Sequence, residues 1–227
     1  MFRPFPLIAA LTLAVVPFLS GQSREVGQVV GRVKLTPRVP GAPLASTAYP
    51  RRTIGQHEQS AIPEIRNVVV YLKDVVVRGR VPTRVVEMRQ EHESFVPHVV
   101  AITTQSSVAF PNADPFFHNV FSLSGAASFD LGRYPKGQTR TREFDKAGIV
   151  KVYCHIHSHM TATILVLDHP YFAVPNLDGT FELPDVPVGD YTIVGWHERV
   201  GERTAKIRVE AGKPVSIDLS LPVEDAR

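Results

Sequence analysis

What most limits the fold of this chain is how often its apolar runs are interrupted. Between Thr83 and Asp168 the sequence breaks into runs of six to eight residues: RVVEMRQ, HVVAITT, SVAFPN, HNVFSLS, GIVKVYC and TATILVLD. Each is rich in β-branched and aromatic residues, and turn-forming residues separate them. No segment sustains apolar residues at the i, i+3, i+4 spacing of an amphipathic helix. Short strands at this spacing predict an all-β protein, a sandwich or a Greek-key β-barrel.

The two ends repeat the habit. VGQVVGRVKLTP (Val26 to Pro37) alternates like a strand, Arg38 to Gln59 reads as a loop, and NVVVYLKDV (Asn67 to Val75) reads as a buried strand. Near the C-terminus, GTFELPDVPVGDYTIVGWHE and KIRVEAGKPVSIDLSL add further strands, and no internal repeat is found. The 227 residues suffice for one or two domains. Pro 19 and Gly 15 spread along the chain suit a turn-rich β architecture. A formal charge of +3 without a long basic run argues against nucleic acid as a partner, and Arg203, Lys206 and Arg208 read as a solvated face.

The N-terminus, MFRPFPLIAALTLAVVPFLSGQS, has one arginine, an apolar run from Phe5 to Leu19 and then small polar residues. This is the pattern of a secretory signal, expected over residues 1-22. The run is too short for a permanent membrane span. The mature protein is therefore expected to be periplasmic or secreted. In such a protein Cys154, the only cysteine, has no internal disulfide partner. Two readings are open: an inert buried thiol, or a thiolate metal ligand.

Cys154 lies in YCHIHSHM (Tyr153 to Met160). A continuous strand would put His155, His157 and His159 on one face. However, Val150, Val152 and Cys154 share the inward face of GIVKVYC, and the next strand begins near Thr161. Six residues between the strands predict a loop, in which Cys154, His157 and Met160 can turn toward one point. Upstream, His118 follows the turn-rich FPNADPFF and heads another strand.

Two family resemblances follow. DGTFELPDVPVGDYTIV (Asp178 to Val194) resembles the second half of a carboxypeptidase-regulatory-like, or prealbumin-like, β-sandwich, with Gly27 to Val33 and Val68 to Leu72 as its first half. This implies a discontinuous sandwich, 26-80 with 174-222, interrupted by a domain at 83-172. That inserted part resembles a cupredoxin. It carries H-N-V at His118 to Val120, then C-x2-H-x2-M with amicyanin-type spacing. The pieces around Phe95 and Pro97, VAFPN and FDLGRY are also similar to exported plastocyanin-like, methylamine-utilisation-like proteins. The resemblance implies one type 1 copper held by His118, Cys154 and His157, with Met160 as weak axial ligand and Asn119 tying the ligand loops together. It departs where related loops carry prolines: here His155, Ser158 and His159 stand instead.

A thiolate, two imidazoles and a long thioether suit one-electron transfer. The expected function is thus a non-enzymatic electron carrier, meeting an exported dehydrogenase or respiratory component. The alternatives are a copper-handling protein, favoured by the spare histidines, and a metal-free interaction module. Tyr153 stands where the H-C-H-I string of multicopper oxidases has histidine, and a binuclear copper centre needs a second cysteine. His92, His98, His169 and His197 read as structural or surface histidines, and Trp196 as core.

Overall fold

The computed structural model describes residues 25–37, 63–77 and 79–224; the expected signal segment and the whole of the 38–59 loop lie outside them. The described chain is all-β. In order it forms β1 (Val26–Pro37), a turn of 3-10 helix (Glu64–Asn67), β2 (Val69–Lys73), β3 (Val85–Glu87), β4 (Arg89–Glu91), β5 (Ser94–Val96), β6 (Val99–Thr103), β7 (Ser106–Pro111) and β8 (His118–Ser124). There follow β9 (Ala127–Tyr134), β10 (Thr139–Phe144), β11 (Gly148–Tyr153), β12 (Thr161–Leu167), β13 (Phe172–Ala173), β14 (Thr180–Pro187), β15 (Gly189–His197), β16 (Gly201–Val209) and β17 (Pro214–Glu224). Among the described residues no helix is long and apolar enough to cross a membrane.

The larger sheets stack as four layers, in the orders β14-β1-β17, β13-β2-β15-β16, β6-β12-β11-β8-β9 and β10-β7-β3. β1 lies between β14, antiparallel, and β17, parallel, so the first strand of the described chain is held by two of its last. Side-chain alternation assigns each strand's two faces. From β2, Val70 and Leu72 join Val29, Phe181 and Leu219 in one core, while Val69 and Tyr71 meet Val99, Ala101, Leu165 and Trp196 in a second. From β6 and β12, Val100, Ile102, Ala162 and Ile164 face a third core with Val108, Phe110 and Phe144.

The inner strands are thus covered on both sides, which is why VVYL, VVAIT and ATILVL are continuous apolar runs rather than alternating ones. A fully buried valine, leucine or isoleucine contributes ~1.5–3 kcal/mol, so these strands anchor the stack. The third core continues to Cys154 and Met160 at one end of the molecule, where the β11–β12 loop lies.

Candidate metal centre

β8 and β11 are paired neighbours, with Tyr153 opposite Phe121. Because His118 opens β8 and Cys154 directly follows β11, strand pairing alone brings these two residues to the same end of the sheet. β11 stops at Tyr153 and β12 starts at Thr161, so Cys154 to Met160 form a loop and no three-histidine face exists. The Cys154 N–H donates to the Met160 carbonyl at 3.3 Å and the Met160 N–H to the His157 carbonyl at 3.0 Å, folding His157 back over Cys154. Met160 is buried beneath the loop. Asn119 joins the two segments: its Oδ1 accepts the His155 N–H at 2.7 Å.

The result is a compact group of three donor atoms. His118 Nδ1 lies 3.8 Å from Cys154 Sγ, His157 Nδ1 lies 3.9 Å from it, and the two Nδ1 atoms are 3.0 Å apart. Among the described residues this is the one group of three or more His, Cys, Asp or Glu side chains close enough to hold a metal ion. Points with these separations lie on a circle of radius about 2.1 Å, within roughly 0.2 Å of ordinary metal bonds to imidazole nitrogen and thiolate sulfur.

The protonation states favour a cation there. His118 is wholly buried, and its Nε2 lies 2.8 Å from the Asp114 carboxylate, which can only accept; in the neutral ring the proton therefore belongs on Nε2, leaving the Nδ1 lone pair toward the cluster. Burial alone would push the Cys154 thiol up. The hydrogen bond with His118 and the backbone amides of Asn119, His157 and Ile156 outweigh it and bring the thiol down to about 6. Burial likewise pushes the His118 imidazole down, but the bonds to Cys154 and Asp114 raise it. A thiolate and two ring nitrogens converge on one point, an arrangement that a proton or a metal ion neutralises.

Aromatic rings close the outer side. Phe116 meets His118 edge-on with centroids 5.2 Å apart and leans on His157 at 5.5 Å. His157 is half-buried, so its outer edge is the part of the cluster that reaches the surface, bordered by exposed Phe116, Phe117 and Ile156. His155 and His159 are not drawn in. His155 stacks on Phe121 at 3.7 Å and lies 3.7 Å from Asp130, while His159 lies 3.3 Å from Glu93.

The remaining histidines have other surroundings. His98 pairs with Glu198 at 2.6 Å, His169 Nδ1 accepts the Tyr171 N–H, and buried His197 lies 2.9 Å from Glu64. The His92 N–H donates to Asp114, and Trp196 is core. Sequence reasoning missed Asp114. In NADPFF an aspartate before proline reads as a turn former, and only its place four residues before His118 hinted at more.

No protein-family model and no curated protein matches this chain. Among solved structures, each of the following covers 36% of the chain. A copper-containing nitrite reductase from Thermus scotoductus is 26% identical with a TM-score of 0.34. A reduced mutant of amicyanin is 19% identical with a TM-score of 0.34, matched over 80% of its length. A purple cupredoxin from Nitrosopumilus maritimus is 18% identical with a TM-score of 0.33, matched over 98% of its length. The match to the nitrite reductase spans 22% of that protein's length.

Proposed function

We propose that this chain is an exported type 1 copper protein that passes single electrons and catalyses no reaction of its own. The observation that carries the reading is the triangle of His118 Nδ1, His157 Nδ1 and Cys154 Sγ, whose size suits one first-row metal ion. The C-x2-H-x2-M spacing and the lowered Cys154 thiol support it. In this reading His118, Cys154 and His157 would supply the three strong ligands and the buried thioether of Met160 a weaker one. Bound copper would supply a one-electron couple at a site whose soft donors suit both of its oxidation states.

The protein's own part is to hold the donors still. The sheet fixes His118 and Cys154, Asn119 ties their segments together, and the loop bonds from Cys154 to Met160 set the position of His157. Phe116 and the core behind Cys154 would limit water, and the half-buried outer edge of His157 would be the way out for an electron. A redox partner, an exported dehydrogenase or respiratory component, would meet the apolar rim of Phe116, Phe117 and Ile156. In the same proposal residues 26-80 with 174-222 form a carboxypeptidase-regulatory-like sandwich and 83-172 the cupredoxin-like copper domain.

A second reading, copper handling, is favoured by exposed His155 and His159 beside the loop. Copper titration of the purified protein separates the readings. Electron transfer predicts one equivalent of copper, an intense visible thiolate-to-copper band, and loss of that band in Cys154→Ser. Tight Cu(I) binding without colour after oxidation favours handling, and absence of stoichiometric copper excludes both.

A further inference from the structure

We infer that Asp114 is a positioning residue that sets the electron affinity of the copper centre, an inference that rests on the copper reading above. Asp114 is only 5% exposed, and its carboxylate is surrounded by donors. Oδ2 accepts the His118 Nε2–H at 2.8 Å and the Glu93 N–H at 2.9 Å, and Oδ1 accepts the His92 N–H at 2.7 Å. The support is built from both sides. His92 and Glu93 adopt φ of 52° and 51°, a left-handed pair that non-glycine residues seldom form, and this tight turn aims two successive amides at one carboxylate. On the other side the Asp114 N–H donates to Asn112 Oδ1 at 3.0 Å, while Asn112 Nδ2 donates to the Phe116 and Tyr134 carbonyls.

Two consequences follow for a metal on His118. The carboxylate fixes the ring's orientation and, in the neutral ring, its tautomer, so that Nδ1 is the nitrogen left to offer a lone pair to a metal. It also places a desolvated negative charge against the far side of that ring, making the imidazole a stronger base. A negative charge at this position stabilises Cu(II) more than Cu(I), so Asp114 holds the reduction potential down. The turn between β4 and β5, remote from the ligand loop in sequence, thereby acts on the centre through one side chain.

The parent protein is loaded with copper first, and its visible band recorded; a parent without that band overturns the copper reading itself, and this inference with it. With the band present, Asp114→Asn removes the charge while keeping an acceptor for Nε2–H. Loss of an outer partner of this kind costs about 10- to 100-fold in metal affinity. The expected loss falls mainly on Cu(II), with the band retained, and the potential rises by about 59 mV for each tenfold by which the Cu(II) loss exceeds the Cu(I) loss.

Equal losses for the two oxidation states, or affinities within about twofold of the parent, a potential shift under about 18 mV, overturn the inference. A second measurement needs no variant. In the Cu(I)-loaded parent, nitrogen-15 NMR of histidine should show a slowly exchanging proton on His118 Nε2. A His118 Nε2 without that proton overturns the inference even where Asp114→Asn fails to fold.

Discussion

Glu198, directly after β15, gathers three side chains of the neighbouring sheet and its edge, His98, Lys151 and Thr163. Its Oε1 is 2.6 Å from His98 Nε2, and its Oε2 accepts from Lys151 Nζ and Thr163 Oγ1 at 2.9 Å each. The His98 bond, with those from Lys151 and Thr163, holds the carboxyl well below the usual carboxylate range despite partial burial. A carboxylate depressed in the folded state contributes stability that is complete above its unfolded value of about 4.5 and is lost progressively as the pH falls below that. Glu198→Gln should therefore cost about 2 kcal/mol at neutral pH, in the range of charged hydrogen bonds. Denaturant melts from pH 7 to pH 3 should show that difference shrinking below about pH 4.5; a gap that is constant with pH would contradict this role.

In β1, Gly31 sits where no side chain can be added. Gly31 faces Phe181 on β14 and Ile217 on β17, and a Cβ there would lie 1.9 Å from the Ile217 carbonyl oxygen and 2.8 Å from the Phe181 ring. Gly31→Ala should lower stability by about 1–3 kcal/mol, the usual range for overpacking, whereas Gly125→Ala, with nothing within 4 Å of the added atom, should stay within about 0.5 kcal/mol. Urea midpoints of the two variants check this. β1 was legible in the sequence because its alternation is regular. β10 was not: TRTREF is exposed at all but Phe144, so it carries neither alternation nor an apolar run, and only pairing with β7 makes it a strand.

For the molecule as a whole, the apolar run of β2 read as a buried strand, whereas the runs of β6 and β12 read only as short strands, and none of them says what covers it. The layer of Val69, Tyr71, Trp196, Val99 and Leu165 joins segments far apart in sequence, and nothing in a local pattern specifies such a partner. The same division holds at the centre. The spacing of Cys154, His157 and Met160 and the inward phase of β11 pointed to the loop, whereas the Asp114 carboxylate and the turn at His92 and Glu93 emerged only from tertiary packing. The copper reading requires His118, Cys154 and His157 to hold one copper ion in both oxidation states. X-ray absorption at the copper edge, on protein carrying one equivalent, reads that ligand set in each state. Two nitrogen ligands and one thiolate sulfur are expected in the oxidised form and the same set after reduction; a spectrum without the sulfur, or a ligand set that changes on reduction, would overturn the copper reading.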